Sequence, residues 1–435
     1  MKQSPPQKET QTHSTVIVIG GGPAGMMAAG CAAKEGARVL LLEKNPGLGK
    51  KLLISGGGRS NVTNAEFDTQ TLLKKYSTKS KFLHSPFSQF SVKDTFDFFT
   101  SQGMEIKIEA EKRAFPKSDT ARSVLEALVT FMKKGGVMVR HNAEVASIVP
   151  CEDGYTVTEK NGTAHTTSRI ILSTGGMSHP ETGSTGDGFR WLEQLQTSVH
   201  RGNAALVPIN TREAWGHKLK GLAFGEVKIS LMVDGKVIER KIGKILFTHT
   251  GLSGPAILNM SKRIGEAMEE GMVTLAIDIF PKEDRGTVDR RLQTLFRANL
   301  NKKLKNVLKE FIPASLVQIA LEQNLLDGEK EVNTVKRDER TALTQWLKAI
   351  VVTPTTLMGK DKAVITSGGI DLTEIDMRTM ELKKWRGLYV VGDILDIDRP
   401  SGGYSLQLCW TTGAVAGTHA GKSTLQSSTP HSQGE

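Results

Sequence analysis

Cysteine is scarce in this chain of 435 residues: Cys31, Cys151 and Cys409 are the three present, scattered and without a C-x-x-C pair. Such usage excludes a disulfide scaffold, argues against structural zinc or an iron–sulfur cluster, and suits a reducing, cytoplasmic compartment. No apolar run reaches the length of a membrane span, so no membrane partner is expected. Met1 to Ser14 lacks the hydrophobic core of a signal peptide. Residues 1–14 and 423–435 are expected to be disordered polar tails. Repeats and low-complexity tracts are absent elsewhere. What the chain does have is length: it should hold two or three domains and bury ample core without metals, and no metal site is expected. It is also basic, with 57 Lys and Arg against 46 Asp and Glu, a formal net charge of +11. That balance suggests an anionic partner, nucleic acid first and an acidic membrane surface or a CoA-type substrate behind it, against the plainer reading of solubility alone.

The most informative stretch is Val16 to Glu43. The apolar run Val16 to Ile19 reads as a strand, and Gly20, Gly22 and Gly25 then fill the glycine positions of G-x-G-x-x-G. Pro23 and Ala24 lie in the same turn, and a small-residue helix runs from Ala24 to Glu35. One glycine serves the tight turn, one lets the backbone approach a pyrophosphate, and one packs helix on strand. The helix N-terminus offers N–H groups and partial positive charge to phosphates. A second strand, Val39 to Leu42, ends at Glu43, whose carboxylate can accept from both hydroxyls of an adenosine ribose, with Lys44 beside it. Together these features predict a dinucleotide site.

The loop KNPGLGKKLLISGGGRSNVTN follows, basic and rich in glycine. With little side chain to bury, Ser55, Gly56 and Gly57 are expected to lay backbone against a ligand. Ala121 to Lys134 is an amphipathic helix, and strands follow at 137–140, 143–149 and 155–159 with turns at Asp153-Gly154 and Asn161-Gly162. Arg169 to Gly176 is a buried strand that runs into Thr174, Gly175 and Gly176, a ligand-binding edge of an open α/β sheet. From about Asn203 the pattern changes. Short β runs occupy 203–280, including the loop FTHTGLSGPAIL, and 281–352 is helical. Within the helical part Arg290, Arg291, Arg297, Lys302, Lys303, Lys305 and Lys309 share a face, with no acid between Asp289 and Glu310, a candidate nucleic-acid surface. After Thr353 strands at 363–366 and 388–391 return to the first domain, so 15–202 and 353–422 form one discontinuous domain.

These motifs agree on a family. VIVIGGGPAG with Glu43, KKLLISGGGRSNVTN, STGGMSHPETGSTGDG, FTHTGLSGPAIL and GLYVVGDILDIDRPSGGYSLQLCWTTG resemble the BaiN/RdsA family of FAD-dependent oxidoreductases over nearly the whole chain. The resemblance implies an α/β fold: a Rossmann-type, glutathione-reductase-like FAD-binding domain with an inserted β-barrel-like domain (203–280) and a small helical domain (281–352). Gly392 and Asp393 follow a strand, where such a carboxylate accepts from the ribityl chain. Gly403, Tyr404, Ser405 and Leu406 open a helix whose dipole would face the flavin and stabilise its anionic reduced form. Val145 matches the strand whose backbone reads adenine. The family usually carries Cys where this chain has Ser60, which removes a thiol proton donor at that point. Cys409 reads as a small buried hydrophobe.

The family's chemistries include reduction of a uridine in ribosomal RNA to dihydrouridine, reduction or desaturation of bile-acid CoA intermediates, and oxidation of small amines. With one dinucleotide fingerprint present, FAD would occupy it permanently and NADH or NADPH would visit as transient electron donor. The basic face favours ribosomal RNA as substrate, with a small-molecule ene-reductase or amine oxidase as the alternative and a non-catalytic RNA-binding flavoprotein as a third class. Proton-donor candidates are His249, Ser253 and His179; each has an ordinary loop-bonding reading too. Arg59 and Asn61 are candidates to hydrogen-bond flavin or a substrate carbonyl, or to hold the glycine loop in shape. Lys51 is a candidate to neutralise phosphate. The two loops SGGGRSN and THTGLSGP are expected to meet at the reacting end, and the oligomeric state is not legible.

Overall fold

The computed structural model describes residues 16–358 and 365–426, so the expected tails, apart from the backbone of 423–426, lie outside the described residues. The chain divides into two compact units, one from Met1–Asn203 and Ile365–Glu435, the other from Ala204–Val364.

The first unit is built on the parallel strands β1 (Val16–Ile19), β2 (Val39–Leu42), β3 (Met138–Arg140), β4 (Ile170–Leu172) and β5 (Leu388–Val390). Their order is β5-β4-β1-β2-β3, and Ile17 stands between Leu40 and Ile170. The short strands Ile375–Asp376 and Glu381–Leu382 extend the β5 edge antiparallel. Every residue of β1 and β2 is buried, as a parallel sheet covered on both faces requires. The expected bounds of β1 and β2 match. The helix after β1, α1, spans Pro23–Lys34.

Helix α1 is nearly all small residues because it is pressed from several sides. A Cβ on Gly30 would lie 2.3 Å from the Phe131 ring. The long final helix α2 (Tyr404–Gln426) presents Gly413, Gly417 and Gly421, whose added Cβ atoms would meet the carbonyls of Ala24, Ala28 and Ala32 at 2.5, 2.3 and 2.8 Å. The matched positions rise together, so the two helices run parallel. At 1.5 Å per residue the first turn of α2 stands about 12 Å beyond that of α1. The last turn of α2 continues through the backbone of 423–426, residues given above to the tail.

In the second unit seven strands form one antiparallel sheet in the order Ile350–Val352, Val273–Asp278, Ala223–Val233, Lys236–Phe247, Gly251–Ser253, Ile209–Thr211, Pro354–Leu357. The two edge strands are consecutive in sequence with Thr353 alone between them, so the sheet curls until its edges approach. The helices do not form a core of their own. Leu292, Leu304, Leu316 and Leu343 share one buried cluster with Ile229, Leu275 and Ile277, and the strand after the helices pairs back onto Val273–Asp278. The parts expected as 203–280 and 281–352 therefore sit in one unit. The chain re-enters the first unit at Ile365 instead of Thr353, because Pro354–Leu357 pairs with Ile209–Thr211. Of the expected strand 363–366, Ala363 and Val364 lie outside the described residues, and the strand runs Ile365–Ile370. Among the described residues no helix is long and apolar enough to cross a membrane.

The α1–α2 seam yields a stability test. Gly417→Val is expected to cost ~1–3 kcal/mol through overpacking, whereas Gly47→Ala, at a position with open space, should change stability by less than ~0.5 kcal/mol. Urea unfolding of the two variants checks it; equal midpoints would contradict the seam.

Candidate functional site

The loops that follow β1, β2, β4 and β5 gather at one edge of the parallel sheet, where open α/β folds bind ligands. In the first loop the three glycines stand in three different surroundings. Gly20 has φ +106° and its Cβ would sit 2.6 Å from the Ser173 carbonyl; a Cβ on Gly25 would strike the Gly20 carbonyl at 2.0 Å. A Cβ on Gly22 would meet nothing within 4 Å, so this turn is open at the point where a phosphate would approach. Gly22 caps α1 without a side-chain bond and Pro23 takes its first position. Ser173 locks the turn by donating to the carbonyls of Ile19 and Gly20 at 2.8 and 2.9 Å.

Glu43 is 7% exposed, and its two oxygens are engaged: Oε2 accepts from Gly21 N at 2.7 Å, and Oε1 from Asn45 N and Nδ2, each at 2.7 Å. The carboxylate thus ties the end of β2 to the glycine turn. Its neighbour Lys44 reaches Thr185 Oγ1 (2.6 Å) and Asp187 Oδ2 (2.9 Å), in the loop and helix beyond β4. Gly175 has φ +71° and packs against Ser184, Gly176 is buried, and Thr174 touches Gly188. Val145 is buried at the start of a strand in a separate three-stranded sheet, paired with Glu159.

A cluster of charge lies where the β2, β4 and β5 loops converge. Lys51 Nζ donates to Ser178 Oγ (2.5 Å) and to Asp393 Oδ2 (3.3 Å). Arg399, 4% exposed, pairs with the other Asp393 oxygen, Oδ1, and donates from Nε to Ser405 Oγ (3.0 Å) and from Nη1 to the Ile397 carbonyl (2.6 Å). Burial alone would raise the Asp393 carboxyl; the Arg399 guanidinium and the Lys51 ammonium overcome it and hold the group below its ordinary value. Gly392, at φ +77°, donates to Thr412 Oγ1 (3.1 Å) and so joins this loop to α2. Neither Arg399 nor Ser178 was among the candidates read from sequence. The signal for Arg399 was a single bulky cation inside the glycine-bearing loop DIDRPSGG.

The loop of Ser55 to Asn61 divides its residues between this site and the outside. Gly56, Gly57 and Gly58 are left-handed in succession (φ +57°, +68° and +86°), and a Cβ on Gly57 or Gly58 would meet open space. Ser55 bonds its own helix end, to the Leu52 carbonyl. With its amide assigned in the orientation that satisfies both ends, Asn61 donates to the carbonyls of Thr63 (3.0 Å) and Ala114 (3.1 Å) and accepts from Gly403 N (3.0 Å), which clamps the loop to the start of α2. Arg59 turns elsewhere: it stacks 4.2 Å over the Phe115 ring and is bound by Asp119 (2.8 Å) and Glu109 (3.2 Å). Ser60 is fully buried with no partner for its hydroxyl, an orphan polar atom beside the open glycines. Gly403 (φ +100°) would drive a Cβ into the Thr63 backbone at 2.3 Å, and the Tyr404 carbonyl accepts from Tyr76. Leu406 is half-buried in the first turn. Cys409 is buried and burial pushes its thiol up to about 12, the behaviour of a hydrophobe.

His179 has φ +54° and its Nδ1 lies 2.8 Å from Glu181. His249 and Ser253 belong to the second unit. His249 is exposed in a turn closed by Thr248, which accepts from Gly251 N (3.1 Å), and Ser253 pairs with Leu246. The basic residues of that unit are less free than their spacing suggests. Arg291 pairs with Glu283 and stacks on Phe280 and Phe311; Lys303 and Lys305 share Glu329, whose carboxyl they push down to about 2; Lys302 faces Glu310 at 4.0 Å. Among the described residues Arg290, Arg297 and Lys309 have no carboxylate within ion-pair range.

The open turn, the uncapped N-terminus of α1, the glycine face and the orphan hydroxyl fit a dinucleotide such as FAD. The Asp393 cluster is testable without any ligand. Asp393→Asn leaves the buried Arg399 guanidinium and the partly buried Lys51 ammonium short of a counter-charge and should cost about 3 kcal/mol at pH 7. Because the folded carboxyl titrates below its ordinary value, its stabilisation is present above about pH 4 and lost as pH falls further. The gap between wild type and variant in thermal melts should therefore shrink below about pH 4. A gap constant with pH would contradict the assignment.

Residues 14–419 match the model of the family described as HI0933-like protein Rossmann domain. The chain is 31% identical over 401 residues to the ribosomal RNA dihydrouridine synthase of Escherichia coli (strain K12), covering 91% of this chain and 95% of that one. It is 27% identical to the 3-dehydro-bile acid delta(4,6)-reductase of Clostridium scindens, over 93% and 98% of the two chains. Among solved structures, 3-ketosteroid delta1-dehydrogenase from Sterolibacterium denitrificans shares the fold with a TM-score of 0.54 at 14% identity, over 94% of this chain and all 100% of that one. A flavocytochrome c3 fumarate reductase does so with 0.51 at 17%, over 95% and 79%. The chain belongs to the HI0933-like Rossmann family and is an oxidoreductase with the Rossmann-type FAD-binding α/β fold.

Proposed function

We propose that this chain uses FAD and NAD(P)H to reduce the C5=C6 bond of a uridine in ribosomal RNA to dihydrouridine, in the cytoplasm. The observation that carries this reading is the likeness to a relative named for that reaction, 31% identical over 401 residues, joined to the convergence of three loops on one charged cluster. When bound, FAD would supply a two-electron carrier able to pass hydride to a carbon–carbon double bond activated by a carbonyl.

The chain's own residues have distinct tasks in this reading. Gly20, Gly22 and Gly25 with the end of α1 hold the pyrophosphate, and Glu43 orients the adenosine ribose. Val145 lies against adenine. Lys51 and Asp393 hold the ribityl end, and the open glycines Gly57 and Gly58 leave a backbone face free for the ring system. Asn61 keeps that loop against the start of α2, and Arg59 supports it from outside through Glu109, Asp119 and Phe115. Proton delivery to the substrate carbon falls to His249, Ser253 or His179. A uridine must leave its stack to react, so the surrounding strand needs a cationic surface. Arg290, Arg297 and Lys309 are the cations of the helical face best able to serve, because acidic neighbours engage the other four.

That neutralisation, together with the bile-acid reductase likeness, favours a second reading: reduction of an activated double bond in a small molecule. Both readings share the cofactor and the hydride chemistry and differ in the partner.

Two measurements follow. Mass spectrometry of ribosomal RNA nucleosides from a strain lacking this protein should show loss of a dihydrouridine that plasmid-borne wild type restores; unchanged content would sink the RNA reading. Glu43→Ala should weaken FAD retention at least tenfold, read as flavin absorbance per protein after gel filtration, since the buried carboxylate both holds the glycine turn and faces the ribose.

A further inference from the structure

Arg399 is the most deeply buried cation of the crevice, and the carboxylate it pairs with is shared with a second cation. Its side chain is 1% exposed, and three of its nitrogens are directed at Asp393, Ser405 and the Ile397 carbonyl. Asp393 already has a second cation, Lys51. Two cations therefore face one carboxylate, and the three groups carry one net positive charge in a site largely removed from water. Such a surplus is costly unless an anion completes it. Ser405, which accepts from Arg399, lies in the first turn of α2, a helix of 23 residues whose positive end adds to the same region. The two helix ends have separate stations, because the α1–α2 seam sets them about 12 Å apart along one direction. A dinucleotide whose phosphates rest on α1 places its second half within reach of α2, and in FAD that half becomes anionic on reduction.

We propose that Arg399 is a positioning residue that fixes Asp393 and, with Lys51 and the start of α2, supplies the counter-charge favouring reduced over oxidised FAD. The inference rests on the FAD reading above. In balanced form, the bound cofactor takes up two electrons and one proton to give the anion, where a neutral reduced product would take two protons. Arg399 raises the reduction potential by lowering the energy of the anion.

The test uses the full chain with FAD, equilibrated anaerobically against a reference dye. Arg399→Gln should lose about tenfold of the preference for reduced over oxidised cofactor, a fall of about 30 mV for a two-electron couple. Arg399→Lys, which keeps the charge and loses the planar fork, should retain most of the wild-type potential. Wild type itself should shift by about 30 mV per pH unit between pH 7 and 8, one proton per two electrons. An unchanged potential in Arg399→Gln with only a lower melting temperature would make Arg399 a loop brace and overturn the proposal. So would a wild-type slope of two protons per two electrons, a measurement that stands even if the glutamine variant does not fold. Failure of the FAD reading shows separately and earlier: the purified chain would take up no flavin.

Discussion

The close packing of α1 against α2 is the constraint on which the rest depends. Three glycines on one helix meet three alanine carbonyls on the other, and any side chain at those glycines would push the helices apart. With the helices held parallel and in register, the N-terminus of α1 stands at the glycine turn after β1, and that of α2 stands about 12 Å farther on. Both ends carry partial positive charge. Gly392 belongs to the same arrangement, since its position against Ala24 leaves room for no larger residue and brings Asp393 beside Lys51. A seam that looks purely structural thus sets the spacing of the charged crevice.

Within the crevice electrostatics replaces packing as the organising force. Glu43 and Asp393 are both acids just past the ends of parallel strands, β2 and β5, yet their environments differ. Glu43 is held by neutral N–H donors, which orient it and leave its charge to act on the turn. Asp393 is held by two cations, so its charge is more than cancelled. One carboxylate suits hydroxyl recognition, the other the fixing of cations near a ligand that gains negative charge. The same contrast governs the second unit, where Glu283, Glu310 and Glu329 neutralise cations of the helical face. A solvated ion pair of that kind contributes little stability, but it removes a free cation from any phosphate-binding surface.

What the sequence makes legible follows interaction range. The strand bounds Val16–Ile19 and Val39–Leu42 and the helix Ala121–Lys134 depend on neighbours a few residues away, and all were readable. The pairing of Lys51 with Asp393 spans 342 residues, so composition and spacing carry no trace of it. Arg399 escaped for a different reason: its partners lie within six residues, but a lone cation on a loop looks solvated, and only the folded chain shows the carbonyl, hydroxyl and carboxylate that engage it. The run of cations from Arg290 to Lys309 shows the same limit, because the acids that pair with four of its seven members come from residues before and after the run. The return point of the chain was placed too early, since Pro354–Leu357 reads as any strand until its partner Ile209–Thr211, about 145 residues earlier, is known.

Arg59 shows how position in a motif and role in a site can separate. It sits between a glycine triplet with an open face and Asn61, which touches the start of α2, yet its own guanidinium is directed to Glu109, Asp119 and the Phe115 ring. Three left-handed glycines cannot hold their shape by side-chain packing, because they have none. The loop therefore needs anchors at its end, and it has two: Arg59 on the outer side and Asn61 on the inner. An anchored glycine loop presents a rigid backbone surface of N–H and C=O groups, which a planar ligand can approach more closely than any side chain would allow. On this reasoning the conformational freedom of Gly56 to Gly58 is removed by their neighbours, and what is left is a preorganised backbone turn with open space at Gly57 and Gly58.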